Sequence, residues 1–242
     1  MNGDNGSLLE VKVWGDFACF TRPEFGVERV SYEVMTPSAA RGILEAIFWK
    51  PEFRWLVREI EVLKPIRHYS ILRNEMNHVQ TLSRAKSGDP YYADSSDDFY
   101  GKNRAQRHTL CLRDVAYIVR ADIELKEHTT DHPAKYRDQF RRRVKRGQCF
   151  TQPYLGTREF SAAFGPPEGD EEPIEQGEEH GLGFMLFDIL FERKEKGAVS
   201  FASHGSGGKE IVSADAQPVF FQARLKDGIL KVPSELYDRR EM

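Results

Sequence analysis

Apolar and polar residues alternate from Leu8 to Trp14. Leu9, Val11 and Val13 are set against Glu10, Lys12 and Trp14, the period of two expected of a strand with one buried face. Gly15-Asp16 closes it, and a loop runs through Arg22-Pro23-Glu24 to Glu28. The period then changes. Thr36-Pro37-Ser38 opens a helix: Thr36 can accept a backbone N–H as N-cap, and Pro37 suits the first helical position, where its missing donor would be unpaired anyway. Ala39, Ile43, Ala46 and Ile47 make the apolar stripe, with Leu44 and Phe48 beside it, until Pro51 stops the helix.

Residues 53–71 are β-rich. Ile60, Val62 and Lys64 alternate with Glu59, Glu61 and Leu63, and Pro65 marks an edge or a bulge. The polar stretch 73–107 reads as an inserted loop or a long hairpin tip. Residues 110–125 return to strand, with Val115, Tyr117, Val119, Ala121 and Ile123 on one face. Asp131-His132-Pro133 leads into a second helix, Ala134 to Arg146, which Gly147 ends. Residues 152–164 are strand-like. The acidic, Gly- and Pro-containing run 166–183 reads as a solvated linker. Three short strands follow at 183–193, 198–203 and 219–232, the last with a tight Asp227-Gly228 turn inside it.

Up to Phe164 the order is strand, helix, strand, strand, helix, strand. That pattern predicts an α+β, ferredoxin-like βαββαβ domain. It would span 1–165 with an insertion at 73–107, followed by the linker and a small C-terminal antiparallel β domain at 184–242. Unrelated functions share such folds, so function has to come from particular residues.

Composition narrows the class. A chain of 242 residues that is 40% hydrophobic and 30% charged is that of a globular protein with a real core. No apolar run approaches the roughly 18 residues of a membrane span, and residues 1–7 lack the apolar stretch of a secretory signal. Cys19, Cys111 and Cys149 form no CxxC pair and are odd in number, which predicts free thiols and a reducing, cytoplasmic compartment. The histidines offer no metal-ligand spacing on a helix: His128 and His132 are four apart, but Pro133 follows at once. Neither a metal nor another cofactor is expected.

The net charge of −3 gives no sign of a polyanionic partner, but its distribution does. In KYRDQFRRRVKR, Lys135 to Arg146, seven of twelve residues are Lys or Arg and one is acidic. Tyr136, Phe140 and Val144 recur every four residues and make a narrow seat for the helix. Cations fill the rest of the circumference. Like charges at i,i+4, such as Arg137/Arg141/Lys145 and Arg142/Arg146, each cost a few tenths of a kcal/mol, roughly. A nucleic-acid backbone would offset that by meeting several cations at once. The alternative is a solvated surface helix whose last cations complement its dipole. Phe48-Trp49-Lys50 and Phe20-Thr21-Arg22 set aromatic rings beside cations, the combination that holds single-stranded RNA, although core packing is the competing use of Phe48 and Trp49.

Three motifs carry a resemblance to a known family. VMTPSAARGILEAIFWKPEFRW (Val34 to Trp55) resembles the first-helix motif of the subtype I-C CRISPR-associated RAMP proteins, the fifth Cas family. VWGDFACFTRPE (Val13 to Glu24) is similar to its opening strand and loop. RRRVKRGQCFTQPYLGTREF (Arg141 to Phe160) is similar to its second helix and following strand. The resemblance implies binding of a CRISPR repeat RNA and its cleavage to mature guide RNA without a metal. It also implies retention of the product within the type I-C interference complex, with the isolated protein monomeric. The implied chemistry is attack of a ribose 2′-hydroxyl on the adjacent phosphate. The family uses a tyrosine at the end of helix one and a Lys-His pair opening helix two. Those positions fall here on Phe48 and on Lys135-Tyr136, with His132 as a substitute imidazole, and His68 and His108 further off. Arg22, Trp49, Lys50, Arg137, Arg141, Arg142, Arg143, Lys145, Arg146 and Arg158 are the residues expected to hold RNA.

Overall fold

A computed structural model describes residues 8–76, 81–88, 104–205 and 208–238. Most of the insertion's tip therefore lies outside the described residues. Strands are β1 (Leu9–Ala18), β2 (Arg29–Val30), β3 (Phe53–Val62), β4 (His68–Met76), β5 (Arg104–Leu125), β6 (Ala163–Gly165), β7 (Glu179–Arg193), β8 (Val199–Gly205), β9 (Gly208–Lys226) and β10 (Ile229–Lys231). Helices are α1 (Pro37–Ile47), α2 (Leu82–Ser87), α3 (Pro133–Arg146) and α4 (Glu235–Asp238).

All ten strands share one sheet, whose main path runs β6-β1-β5-β3-β10-β9-β7. The pairs along it are antiparallel: β1 to β5 with Val11 opposite Val119, β3 to β5 with Trp55 opposite Ile123, and β1 to β6 with Val13 opposite Phe164. The three-residue β10 bridges β3 to β9, so the C-terminal strands extend the same sheet. The architecture is mixed, with one large antiparallel sheet and few helices.

The alternation read from the sequence sets which face is buried. Leu9, Val11 and Val13 are buried, as are Val115, Tyr117, Val119, Ala121 and Ile123. Over them lie α1, which buries Ala40, Ile43, Leu44 and Ile47, and α3, which buries Tyr136, Phe140 and Val144. Each large apolar side chain among these contributes about 1.5–3 kcal/mol by leaving water. Thr36 caps α1 by accepting the Ala39 N–H at 3.2 Å, with Pro37 at the first position. Gly147 ends α3 in the left-handed conformation, φ 62°, which glycine adopts without the strain a Cβ brings.

Several expectations change. Residues 73–76 and 104–107 are not loop but the paired stem of a hairpin, Arg73 opposite Arg107. Residues 152–164 form only an isolated Tyr154–Ser161 bridge and the short β6. Gly156, at φ 87°, turns the chain there, and a Cβ on it would meet the Cys19 carbonyl oxygen at 2.0 Å. The acidic run is held against the sheet rather than free: Lys12 pairs with Glu168 and Glu171, and the Ile174 N–H donates to the Val62 carbonyl at 2.9 Å. The last strand begins earlier, at Gly208, and breaks into β9 and β10 at the Asp227-Gly228 turn.

Candidate nucleic-acid interface

The C-terminal end of α1 and the whole of α3 meet over a cluster of rings. Phe48 lies 5.5 Å from Phe53, Phe53 lies 5.2 Å from Tyr136, and Trp55 lies 4.8 Å from Phe140. The Trp55 indole N–H donates to the Phe48 carbonyl at 3.0 Å. Such ring pairs add about 0.5–1.5 kcal/mol each beyond their burial. They explain why aromatic residues recur at these positions: the rings lock the two helices to the edge of β3.

This corrects the expectation for Phe48. Its ring is buried, covered by the Arg143 guanidinium at 5.3 Å, and has no face for a base. Phe53 stands between it and Tyr136. Trp49, 42% exposed, and Lys50 lie at the surface beside it.

The start of α3 holds Lys135, Tyr136 and His132 close together. Asp131 organises them, a residue that in the sequence is only part of the helix entrance. Its Oδ2 accepts from Lys135 Nζ at 2.8 Å and from the Tyr136 hydroxyl at 2.6 Å. The Lys135 ammonium and the Tyr136 hydroxyl hold the Asp131 carboxyl below its usual range, and Asp131 in turn raises Lys135. Burial, and then the bond to Asp131, pushes the Tyr136 phenol up. Tyr136 is thus a proton donor already engaged, not a base. His132 is exposed and is the N-cap of α3, with Nδ1 accepting the Ala134 N–H at 3.2 Å. The neutral ring then carries its proton on Nε2. Glu52, on the turn between α1 and β3, acts electrostatically on both Lys135 and Tyr136, and its Oε2 is buried with no hydrogen-bond partner. An acidic residue in a turn carries no signal that would have singled it out in the sequence.

Along α3 the cations divide by face. Arg137 donates to Asp122 on β5 at 2.6 Å, and Arg143 donates to the Ile47 carbonyl at 2.9 Å. Both tie the helix down, which corrects their assignment as free contacts for a phosphate. Arg141 pairs with Asp138 on the helix surface. Arg142, Lys145 and Arg146 have no carboxylate within salt-bridge distance among the described residues. They stand at i, i+3 and i+4 and share one face, with Lys135 two turns back.

Arg22 and Arg158 lie elsewhere. Arg22 covers the Tyr32 ring at 4.4 Å and pairs with Glu24, in the segment leading to the N-terminal end of α1. Arg158 is exposed in the loop that packs on Cys19. At that end of α1 a cleft of about 230 Å³ opens between Thr36, Ser38, Thr21 and Tyr154. His68 and His108 are on β4 and β5, with Ser70 Oγ 3.5 Å from His108 Nδ1. Neither is among the groups at the start of α3. One acidic trio, Glu168, Asp170 and Glu171, is close enough to share an ion, but the Lys12 ammonium already pairs with two of its members. No helix is long and apolar enough to cross a membrane among the described residues, and Cys19, Cys111 and Cys149 are free thiols.

A family model described as CRISPR-associated protein (Cas_Cas5), that of Cas5d, matches residues 8–233. A Thermus thermophilus protein named CRISPR pre-crRNA endoribonuclease Cas5d is 49% identical over 230 residues, covering 95% of this chain and 93% of its own. A Mannheimia succiniciproducens protein of the same name is 41% identical over 235 residues, covering 93% and 94%. A crystal structure of a CRISPR-associated protein aligns with a TM-score of 0.61 at 21% identity, over 94% of this chain and 92% of that one. The sheet and its helices are therefore those of a CRISPR-associated protein. The chain belongs to the Cas5d family.

Proposed function

We propose that this protein binds CRISPR repeat RNA along the exposed face of α3 and cuts the precursor without a metal, then stays bound as a subunit of a type I-C interference complex. The carrying observation is the row Arg142, Lys145 and Arg146, without carboxylate partners among the described residues, on the helix whose first turn carries Lys135. The names of the relatives supply the substrate class. The sheet order β6-β1-β5-β3, with α1 and α3 as the two crossovers, supports reading this part of the molecule as ferredoxin-like.

The reaction is a transesterification. The ribose 2′-oxygen bonds to the adjacent phosphorus, the bond to the 5′-oxygen breaks, and the products are a 2′,3′-cyclic phosphate and a 5′-hydroxyl. The nucleophile is internal to the substrate, so orientation and charge stabilisation carry much of the rate. In this reading Lys135 stabilises the negative phosphorane. Asp131 fixes the Lys135 ammonium in place. The 2′-hydroxyl proton passes to water and the leaving 5′-oxygen takes one from water, with the Nε2–H of the exposed His132 offering that oxygen a hydrogen bond.

The test is repeat RNA in excess EDTA, with the product ends mapped. Cleavage is expected, and a single 2′-deoxy substitution at the cut should abolish it. Lys135→Ala should slow cleavage about 10²-fold, the scale of removing one transition-state donor, while changing affinity only a few-fold. Uncut RNA at enzyme excess would refute the catalytic half. A second reading, a non-catalytic subunit holding the 5′ end of the guide, is favoured by three committed groups: Phe48 is buried, the Tyr136 hydroxyl is bound to Asp131, and His132 Nδ1 is bound to the helix. It predicts tight binding and no product.

A further inference from the structure

We infer that Phe150 is a stacking surface for an unpaired RNA base, at the joint end of α1 and α3 and next to the cationic row. This rests on the RNA-binding reading above and adds a base-stacking site to its row of phosphate contacts.

Phe150 is 79% exposed, more than any other aromatic residue among those described. Its position is nevertheless fixed. The Phe150 and Thr151 N–H groups both donate to the Ala46 carbonyl, at 2.8 and 3.1 Å. Just before it, the Gln148 N–H donates to the Arg143 carbonyl at 2.9 Å, and Gly147 closes α3. The segment thus uses its own backbone to satisfy the last turn of α1, which would otherwise end in unpaired carbonyls, and it holds the ring outward as a consequence. A flexible apolar tip would fold back onto the surface, and this one is anchored on both sides.

The neighbourhood decides what the ring meets. Arg146 precedes it by four residues, and Arg142 and Lys145 lie within the last turn and a half of α3. Trp49 is half-exposed three residues beyond Ala46. A protein partner seating on Phe150 would want an apolar surround and would have to cover these cations. An RNA strand matches both parts, with its phosphates on the row and a base on the ring. Any base has a π face, so this stacking sets affinity for single-stranded RNA and not sequence.

The experiment uses the full chain and a repeat RNA carrying 2-aminopurine at successive unpaired positions, titrated across a salt series. Phe150→Ala should weaken binding about tenfold, the lower part of the range for one stacked base, and leave the slope of log affinity against log salt unchanged. The 2-aminopurine emission at one position should be quenched by the unaltered protein and not by Phe150→Ala. Phe150→Trp should restore both. A fully paired RNA should not distinguish the variants. Thermal melting of Phe150→Ala should match the unaltered chain, because the ring is open to solvent. Unchanged affinity and quenching in Phe150→Ala would overturn the inference, as would loss of a protein partner with RNA binding intact. If the unaltered chain binds no repeat RNA, the functional reading itself fails, and the stacking site falls with it. If it binds with a normal salt slope but Phe150→Ala is silent, only the stacking site is refuted.

Discussion

At the N-terminal end of α3, Tyr136 and Lys135 both donate to Asp131, and His132 accepts from Ala134. At the C-terminal end, Arg142, Lys145 and Arg146 have no carboxylate partner among the described residues, and Phe150 stands open. The first arrangement lowers the energy of the isolated chain. The second raises it, through like-charge repulsion and an apolar ring in water, each by a few tenths of a kcal/mol to about 1 kcal/mol. The contrast divides α3 into an end where groups are held in fixed mutual geometry and an end whose cations and ring are left open.

The sharpest way to break this contrast is to loosen the seat that both ends share. Phe140, on the inward face of α3, is fully buried. Phe140→Ala should destabilise the protein by about 3–5 kcal/mol, read as a lower denaturant midpoint, and should impair binding and cleavage together. Reversing the open end comes next. Arg142→Glu with Arg146→Glu should weaken repeat RNA binding about 10²-fold at low salt and flatten the salt slope, by roughly 0.7 for each phosphate no longer neutralised. An unchanged slope would leave the row as a solvated face.

The opposite side of β1 supplies a control that should not touch RNA. Burial alone would raise the Glu171 carboxyl, but the Glu168 and Gly169 N–H groups and the Lys12 ammonium bring it to about 2. A carboxylate depressed in the folded state stabilises above its unfolded value, and that contribution is lost as pH falls toward about 2. Glu171→Gln should therefore cost about 1–2 kcal/mol at neutral pH, after discounting for solvent, with most of that gone by about pH 2 and the rest below it, and with RNA affinity unaltered. Equal melting of the two proteins at neutral pH would remove this account. The smallest effect belongs to the closed end. Tyr136→Phe deletes the hydroxyl that donates to Asp131 and should cost about 1 kcal/mol, with RNA affinity within twofold. A tenfold loss of affinity would mean that the N-terminal end also touches the strand directly.

Much of the core was legible along the chain. The two-residue period of Leu9, Val11 and Val13 and the capped stripe from Thr36 to Ile47 fall where the structure has β1 and α1. So does the four-residue spacing of Tyr136, Phe140 and Val144, which falls on α3. Those patterns depend on local backbone geometry, which each segment carries within itself. The candidate site was legible in part. The basic run and its neighbours were visible, but Arg137 and Arg143 look like Arg142 in sequence and differ only in what lies across from them. Asp131 showed only as part of a helix entrance and Phe150 only as part of a family motif, and Glu52 gave no pattern, because their roles come from how separate segments meet.

The sequence by itself determined the periods of the main elements, the dense positive charge of α3 and the motifs of the family. The tertiary structure alone decided which cations are tied down, which ring is buried and which is offered to solvent, and how a three-residue strand carries the C-terminal region into the same sheet. The reason is physical: periodicity is a property of neighbours in the chain, whereas the availability of a charge or a ring depends on which atoms from distant segments reach it first.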